Sequence, residues 1–350
     1  NPEHLQDRHQ LMTALMYQQY KLVQQFQYLL LCQLPLLVEV ELQQFLYLYC
    51  RKQKVETNLS RIVNMKTSSL PNIPNLIVMI RPASFGFNFE TEKTNFFQNK
   101  KGTDLSGTAA QMEFDAMVKK MYDANIDVKV FEDLRYDLPD SVFSNNWMAN
   151  FPTGNLTAFP MCTPNRRAEI RTDILDWIKE ETKSSELIDL ANHVVKNQFL
   201  EGTGSIVFDH QNKIAYACES TRTNVSLFES YCKQIDYSPI SFQSFDLAGN
   251  LIYHTNVMMT IGNGFVLICL DSIQNLIERS MLQQKLQETN QRIIPISFQQ
   301  MNQFAGNCIE VQNKKNDRYL LMSQTAFNVL TDEQKLEINI FCQILAFDIP

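Results

Sequence analysis

From Asn75 onward, apolar residues fall into two rhythms. Short apolar runs bounded by polar residues, glycine or proline predict strands at 76–80, 128–131, 206–208, 214–217, 265–268 and 319–322. Pro82 cannot donate to a ladder, so the first of these ends there or lies at an edge. Longer stretches with helical spacing predict helices over about 109–124, 167–182, 224–234, 272–289 and 331–345. In the first helix Met112, Phe114, Met117, Val118 and Met121 lie mostly on one side, and in the second Ile170, Ile174, Trp177 and Ile178 do. Such stripes face a core rather than a cofactor. Thr331-Asp332-Glu333-Gln334 has the form of a capping box, in which two side chains satisfy each other's free backbone amides.

The helix centres recur at roughly 50–60 residues, a period that suggests repeated supersecondary units. Five units, each of several strands and one helix, could close into a ring and bring loops from separate units together near its axis. A doubly wound α/β sheet is the competing arrangement. The chain has neither the Gly-rich dinucleotide fingerprint nor the phosphate loop that would favour it.

Residues 1–64 have a different texture. They are glutamine-rich, lack glycine and contain an apolar run at 29–38 broken by Gln33 and Pro35, with Glu39 and Glu41 just beyond. A membrane span needs about 20 mostly apolar residues, so none is expected, and the layout of a secretory signal is missing as well. The expectation is a helical or poorly ordered extension over 1–64, with Met65 just before the regular part, and one α/β domain over 75–350.

Length and composition then narrow the function. A chain of 350 residues can bury a large core. Its net charge of -7 gives no electrostatic case for nucleic acid as a partner. The eight cysteines form no C-x-x-C pair and no zinc-ligand spacing with histidine, so no metal or cofactor is expected. Scattered cysteines of this kind suit a reducing compartment, hence a cytoplasmic protein.

Several polar turns could carry chemistry. His254 lies in Tyr253-His254-Thr255-Asn256, a β-type run ahead of the turn at Gly262 and Gly264. A single histidine in apolar surroundings is more often structural than catalytic. Its company changes the weighting. Glu201 precedes the turn Gly202-Thr203-Gly204, and Arg166 and Arg222 stand near the starts of helical patterns. Asp140, Asn145 and Asn146 form a polar cluster after Pro139. Each also has a plainer reading, as a turn residue, a surface arginine or a solvated carboxylate.

Six segments in one order resemble the guanidine-modifying superfamily of five-bladed α/β propellers (penteins). That superfamily includes dimethylarginine dimethylaminohydrolase, arginine deiminase and the amidinotransferases. The segments are 139–147, Pro164-Asn165-Arg166-Arg167, 199–205, Thr221-Arg222-Thr223, 253–259 and Phe304-Ala305-Gly306-Asn307. The pattern is most similar to the arginine-deiminase-related branch that hydrolyses citrulline. The resemblance implies that His254 is the catalytic histidine and Glu201 its carboxylate. It also implies that Asp140, Asn145, Asn146, Arg166 and Arg222 line a pocket for a small amino-acid substrate, a citrulline or arginine derivative. No cofactor, nucleic acid or membrane partner is implied.

The chemistry suits these residue types. A cysteine thiolate attacks the ureido or guanidino carbon, and histidine protonates the departing amine and then activates water. An arginine can hold the substrate carboxylate as a bidentate fork. Where dimethylarginine hydrolases carry an acidic pair, this chain has Asn145-Asn146, and amides suit a neutral ureido group better than a cation. The resemblance places the nucleophile in a glycine-rich C-terminal segment that would follow Pro350, together with a last strand. Cys308 is the nearest substitute, though a packed strand residue is its plainer reading. Three expectations stand: a citrulline/arginine-type hydrolase whose nucleophile is absent from this chain, a catalytically inactive propeller that binds an amino acid or a protein, and a hydrolase that uses Cys308.

Overall fold

The computed structural model describes residues 73–95, 98, 107–184, 186–289 and 291–349, all within one compact unit, Pro71–Pro350. The extension expected over 1–64 lies outside the described residues.

Among the described residues five small sheets make up this unit. The first pairs β1 (Leu76–Arg81) with β2 (Asp127–Glu132) in parallel, joined through helix α1 (Gly107–Asp123). The second holds β3 (Met148–Asn150), β4 (Asn155–Ala158) and, after the single turn α2 (Pro164–Arg167) and helix α3 (Thr172–Thr182), β5 (Glu186–Asp189). The third follows another single turn, α4 (Gly202–Ser205). It holds β6 (Val207–Asp209), β7 (Ile214–Cys218) and, after helix α5 (Val225–Gln234), β8 (Ser238–Phe242). The fourth follows the turn α6 (Thr255–Met258), with β9 (Met259–Gly262), β10 (Phe265–Ile268), helix α7 (Leu276–Glu288) and β11 (Arg292–Pro295). The fifth follows the turn α8 (Phe298–Met301). It has β12 (Ile309–Gln312), β13 (Arg318–Ser323), helices α9 (Gln324–Val329) and α10 (Asp332–Asn339), and β14 (Gln343–Phe347).

Sheets two to five share one plan, an antiparallel hairpin followed by a helical crossover to a parallel third strand. The central strands are the most deeply buried. All of β7 and β10 is buried, as their unbroken apolar runs require. In β1, by contrast, only Ile80 is buried and the other residues are half-exposed. Among the described residues β1 has one hydrogen-bonded neighbour strand, whereas β7 and β10 each have two.

Three local expectations change. Residues 343–345 belong to β14 rather than to the last helix, because they pair in parallel register with Tyr319–Leu321 of β13. Short apolar runs are ambiguous between helix and strand until such a partner is known. The second helix starts at Thr172, and Arg166 and Arg167 sit in the separate turn α2, opened by Pro164 at its first position. His254 is not in a strand. It caps the N-terminal side of α6, and the extended chain resumes at Met259. The capping box at Thr331 and Gln334 forms as read from the sequence.

Candidate functional site

Two single helical turns, α4 and α6, set the geometry. Glu201 stands just before α4 and His254 just before α6. The Thr255 hydroxyl ties the turns together. It donates to the Ser205 carbonyl at 2.5 Å and accepts the Cys218 amide at 2.8 Å. The Glu201 amide donates to Ser205 Oγ at 2.9 Å, and that hydroxyl donates to the Arg222 carbonyl at 2.9 Å. Gly202 has φ +46 and lies against the backbone of the polar cluster, where an added Cβ would be 2.3 Å from the Asn145 carbonyl oxygen. Only glycine fits both the conformation and the approach.

At the centre His254 Nε2 meets Glu201 Oε2 at 2.8 Å, with both side chains buried. Glu201 Oε1 accepts the Cys162 amide at 2.9 Å. Arg222 Nη1 reaches Glu201 Oε2 at 3.4 Å. Burial alone would raise the Glu201 carboxyl, but the His254 hydrogen bond and the Arg222 charge outweigh it and hold the group at about 2. Burial pushes His254 down to about 4, against the pull of Glu201. The resting pair is therefore a carboxylate and a neutral imidazole. With Nε2–H donated to the carboxylate, Nδ1 keeps its lone pair. Nδ1 lies against Gly204, where an added Cβ would be 2.7 Å from Nδ1 and 2.5 Å from Asn146 Nδ2.

Arg222 and Arg166 are both buried and both engaged by the chain itself. Besides Glu201, Arg222 donates to Thr94 Oγ1 at 2.8 Å and to the Thr91 carbonyl at 3.4 Å, and it lies 4.8 Å from the Tyr253 ring centroid. Arg166 donates to both oxygens of Glu169 at 2.9–3.1 Å and to Asn146 Oδ1 at 2.9 Å. Burial pushes Glu169 up to about 7, against the Arg166 charge.

The structure thus brings together His254, Glu201, Arg222, Arg166, Asn146 and Asp140. Asp140 accepts Asn88 Nδ2 at 2.6 Å. Asn145 is exposed, and its amide turns to Thr203 Oγ1 at 3.2 Å. Cys308 stands apart, with its backbone on Thr260 and its thiol on the Ala305 carbonyl at 3.4 Å. Burial pushes that thiol up to about 12, with no cation to draw it down. The sequence reading missed Glu169 and the segment after β1. Glu169 was visible only as a carboxylate three residues beyond Arg166, the spacing of a helical ion pair. Nothing in the sequence marked Asn88, Thr91 and Thr94 as cover for Asp140 and Arg222.

A family profile described as N,N dimethylarginine dimethylhydrolase, eukaryotic, matches residues 81–350. The chain belongs to this family. With it comes membership of the guanidine-modifying pentein superfamily. No curated protein matches the chain significantly. Among solved structures, the product-bound N-terminal domain of ArgZ, an arginine dihydrolase of the cyanobacterial ornithine–ammonia cycle, is similar with a TM-score of 0.61 at 15% identity. That match covers 78% of this chain and 90% of the domain. Whole ArgZ without ligand gives a TM-score of 0.60 at 15% identity over 78% of this chain, which spans only 37% of that protein's length. A cysteine-to-serine mutant of dimethylarginine dimethylaminohydrolase (DDAH) from Pseudomonas aeruginosa, in complex with citrulline, gives 0.54 at 13% identity, covering 79% and 92%. At such identities the likeness is one of fold, a mixed α/β fold shared with these proteins. Among the described residues no helix is long and apolar enough to cross a membrane.

Proposed function

We propose that this chain carries the acid–base and substrate-holding parts of a hydrolase that cleaves a C–N bond of a ureido or guanidino group, on a citrulline- or arginine-type amino acid. The observation behind this reading is the buried contact of 2.8 Å between His254 and Glu201, with His254 Nδ1 and the Asn146 amide both lying against Gly204. In the proposed reaction a cysteine thiol passes its proton to His254 Nδ1, and the thiolate bonds to the ureido or guanidino carbon. His254 protonates the departing nitrogen as the C–N bond breaks. Water, deprotonated by His254, then displaces sulfur. Glu201 holds the imidazole and stabilises the imidazolium that forms in each half-reaction. The relatives fit this class: one is an arginine dihydrolase, and another is a dimethylarginine dimethylaminohydrolase in complex with citrulline.

The same reading takes the five sheets as five blades of a propeller, with α4 and α6 facing its axis. The repeated hairpin-and-crossover plan of sheets two to five supports it. It assigns the thiolate to the glycine-rich segment implied by the resemblance, not to Cys308.

A second reading, a propeller that binds an amino acid or a protein partner without turnover, is favoured by one observation. All six cysteines among the described residues have thiols raised by burial, so none of them is poised as a thiolate. An assay of released ammonia, methylamines, citrulline and ornithine with citrulline, arginine and methylated arginines, run on a form that also carries the glycine-rich cysteine segment, separates the readings. Turnover lost in His254→Ala supports the hydrolase, and calorimetric binding without turnover supports the second reading. Turnover abolished by Cys308→Ser would make Cys308 the nucleophile.

A further inference from the structure

Glu169 takes no part in the His254–Glu201 pair, yet it is a buried carboxylate one turn beyond Arg166. Both oxygens accept from Arg166 Nε, at 3.0 and 3.1 Å, and one also accepts from Nη2 at 2.9 Å. Only 2% of the Arg166 side chain and 1% of the Glu169 side chain are exposed. A fully buried ion pair is a poor device for stability, because desolvation offsets the attraction. What it supplies here is orientation.

Arginine has donors only. With Nε and Nη2 turned to Glu169, Nη1 donates to Asn146 Oδ1 at 2.9 Å. Nη2 also reaches the Phe143 carbonyl at 3.2 Å. Only an acceptor can face Nη1, so the Asn146 amide is fixed with its oxygen toward Arg166 and its NH₂ turned away. That NH₂ lies against Gly204 beside His254 Nδ1, within 2.5 and 2.7 Å of one added Cβ. The Glu169 charge also offsets that of Arg166, so the wall facing His254 is an amide donor and not a free cation.

We propose that Glu169 is a positioning residue that sets substrate choice. Acting through Arg166, it locks the Asn146 amide with its NH₂ toward His254 Nδ1. The site thereby takes a group with an acceptor oxygen, a ureido carbonyl, in preference to a guanidinium, which has donors alone. This rests on the functional reading above. Without the Glu169 charge, Arg166 loses its acceptors on one side and the amide is free to turn.

The test uses the whole chain labelled with ¹⁵N. The Asn146 side-chain amide signal is assigned by its loss in Asn146→Ala. In Glu169→Gln its exchange with solvent should quicken by about tenfold or more, as expected when a charge-assisted hydrogen bond is lost. Citrulline affinity should fall by about tenfold while arginine affinity holds. The double variant Arg166→Met/Glu169→Leu removes both charges of the buried pair together and should show the same amide change even if Glu169→Gln does not fold. Unchanged Asn146 exchange in a folded variant of either kind overturns the positioning role. Faster exchange with an unchanged preference between citrulline and arginine overturns the role in substrate choice. If the wild-type chain binds neither amino acid, the functional reading fails, and the amide exchange still decides whether Glu169 positions Asn146.

Discussion

The Arg222 guanidinium reaches the Glu201 carboxylate at 3.4 Å, with 2% and 1% of the two side chains exposed. Arg222 stands behind the carboxylate that holds His254, and its Nε and Nη2 donors go to Thr91 and Thr94. Arg222→Met should therefore leave the Glu201 charge buried and poorly compensated, at a cost of about 3–5 kcal/mol. Urea unfolding of the variant beside the wild type checks this. A fork that faced only the substrate would leave the midpoint where it is.

The site also predicts the response to acid. The unfolded chain takes up a proton on histidine near 6.5, whereas folded His254 resists protonation down to about 4. Its contribution is full above pH 6.5 and is lost as the pH falls toward 4, on the order of 1–3 kcal/mol. Glu201 adds a second loss as the pH falls from its ordinary 4.5 toward about 2. Glu169 runs the other way. Burial raises its folded carboxyl to about 7 against an ordinary 4.5, so its contribution declines as the pH rises through that window, and above it the group is the carboxylate that holds Arg166. Denaturant unfolding across this range, compared between wild type and His254→Asn, should show a flatter curve between pH 4 and 6.5 in the variant. Parallel curves would place the charge change on another group.

Much of this arrangement was legible from the residues alone, and the reason is local. The strand runs are bounded by turn residues, and the capping box at Thr331 and Gln334 is a short-range device that needs no distant partner. His254 and Glu201 lie 53 residues apart, yet each is flanked by its own polar turn, and the two turns meet. What stayed hidden depends on long-range placement. Strand β14 looked helical until β13 supplied its register. Arg166 and Arg222 carry the signature of substrate forks, but whether a guanidinium meets a ligand or a carboxylate of its own chain is decided by packing. The Asn88–Thr94 cover comes from a segment 128 residues away from Arg222, with no motif of its own.

Gly204 should tolerate no side chain. In Gly204→Ala the new methyl would fall 2.5 Å from Asn146 Nδ2 and 2.7 Å from His254 Nδ1, so both groups must shift. Overpacking of this kind costs about 1–3 kcal/mol, and binding of citrulline should weaken with it. A melting curve beside a calorimetric titration reads both effects. Wild-type affinity in Gly204→Ala would mean that neither group touches the ligand.

Cys308 should behave as a packing residue. With its thiol raised to about 12 by burial, its alkylation by iodoacetamide at pH 7.5 should be far slower than that of a free cysteine. Mass spectrometry of the labelled chain locates the modified residues. Rapid selective labelling of Cys308 would show a thiolate that the described geometry does not provide.

The central claim is that the surroundings of His254 and Glu201 form a site for a ureido or guanidino amino acid. Calorimetric titration of citrulline into the wild-type chain and into Asn146→Ala at pH 7.5 tests it most directly. The account predicts measurable binding to the wild type and an affinity lower by about tenfold in the variant, the loss expected when a buried hydrogen-bond donor is removed. Equal affinities would contradict the role of Asn146, and no binding of citrulline or arginine to the wild-type chain would contradict the account itself.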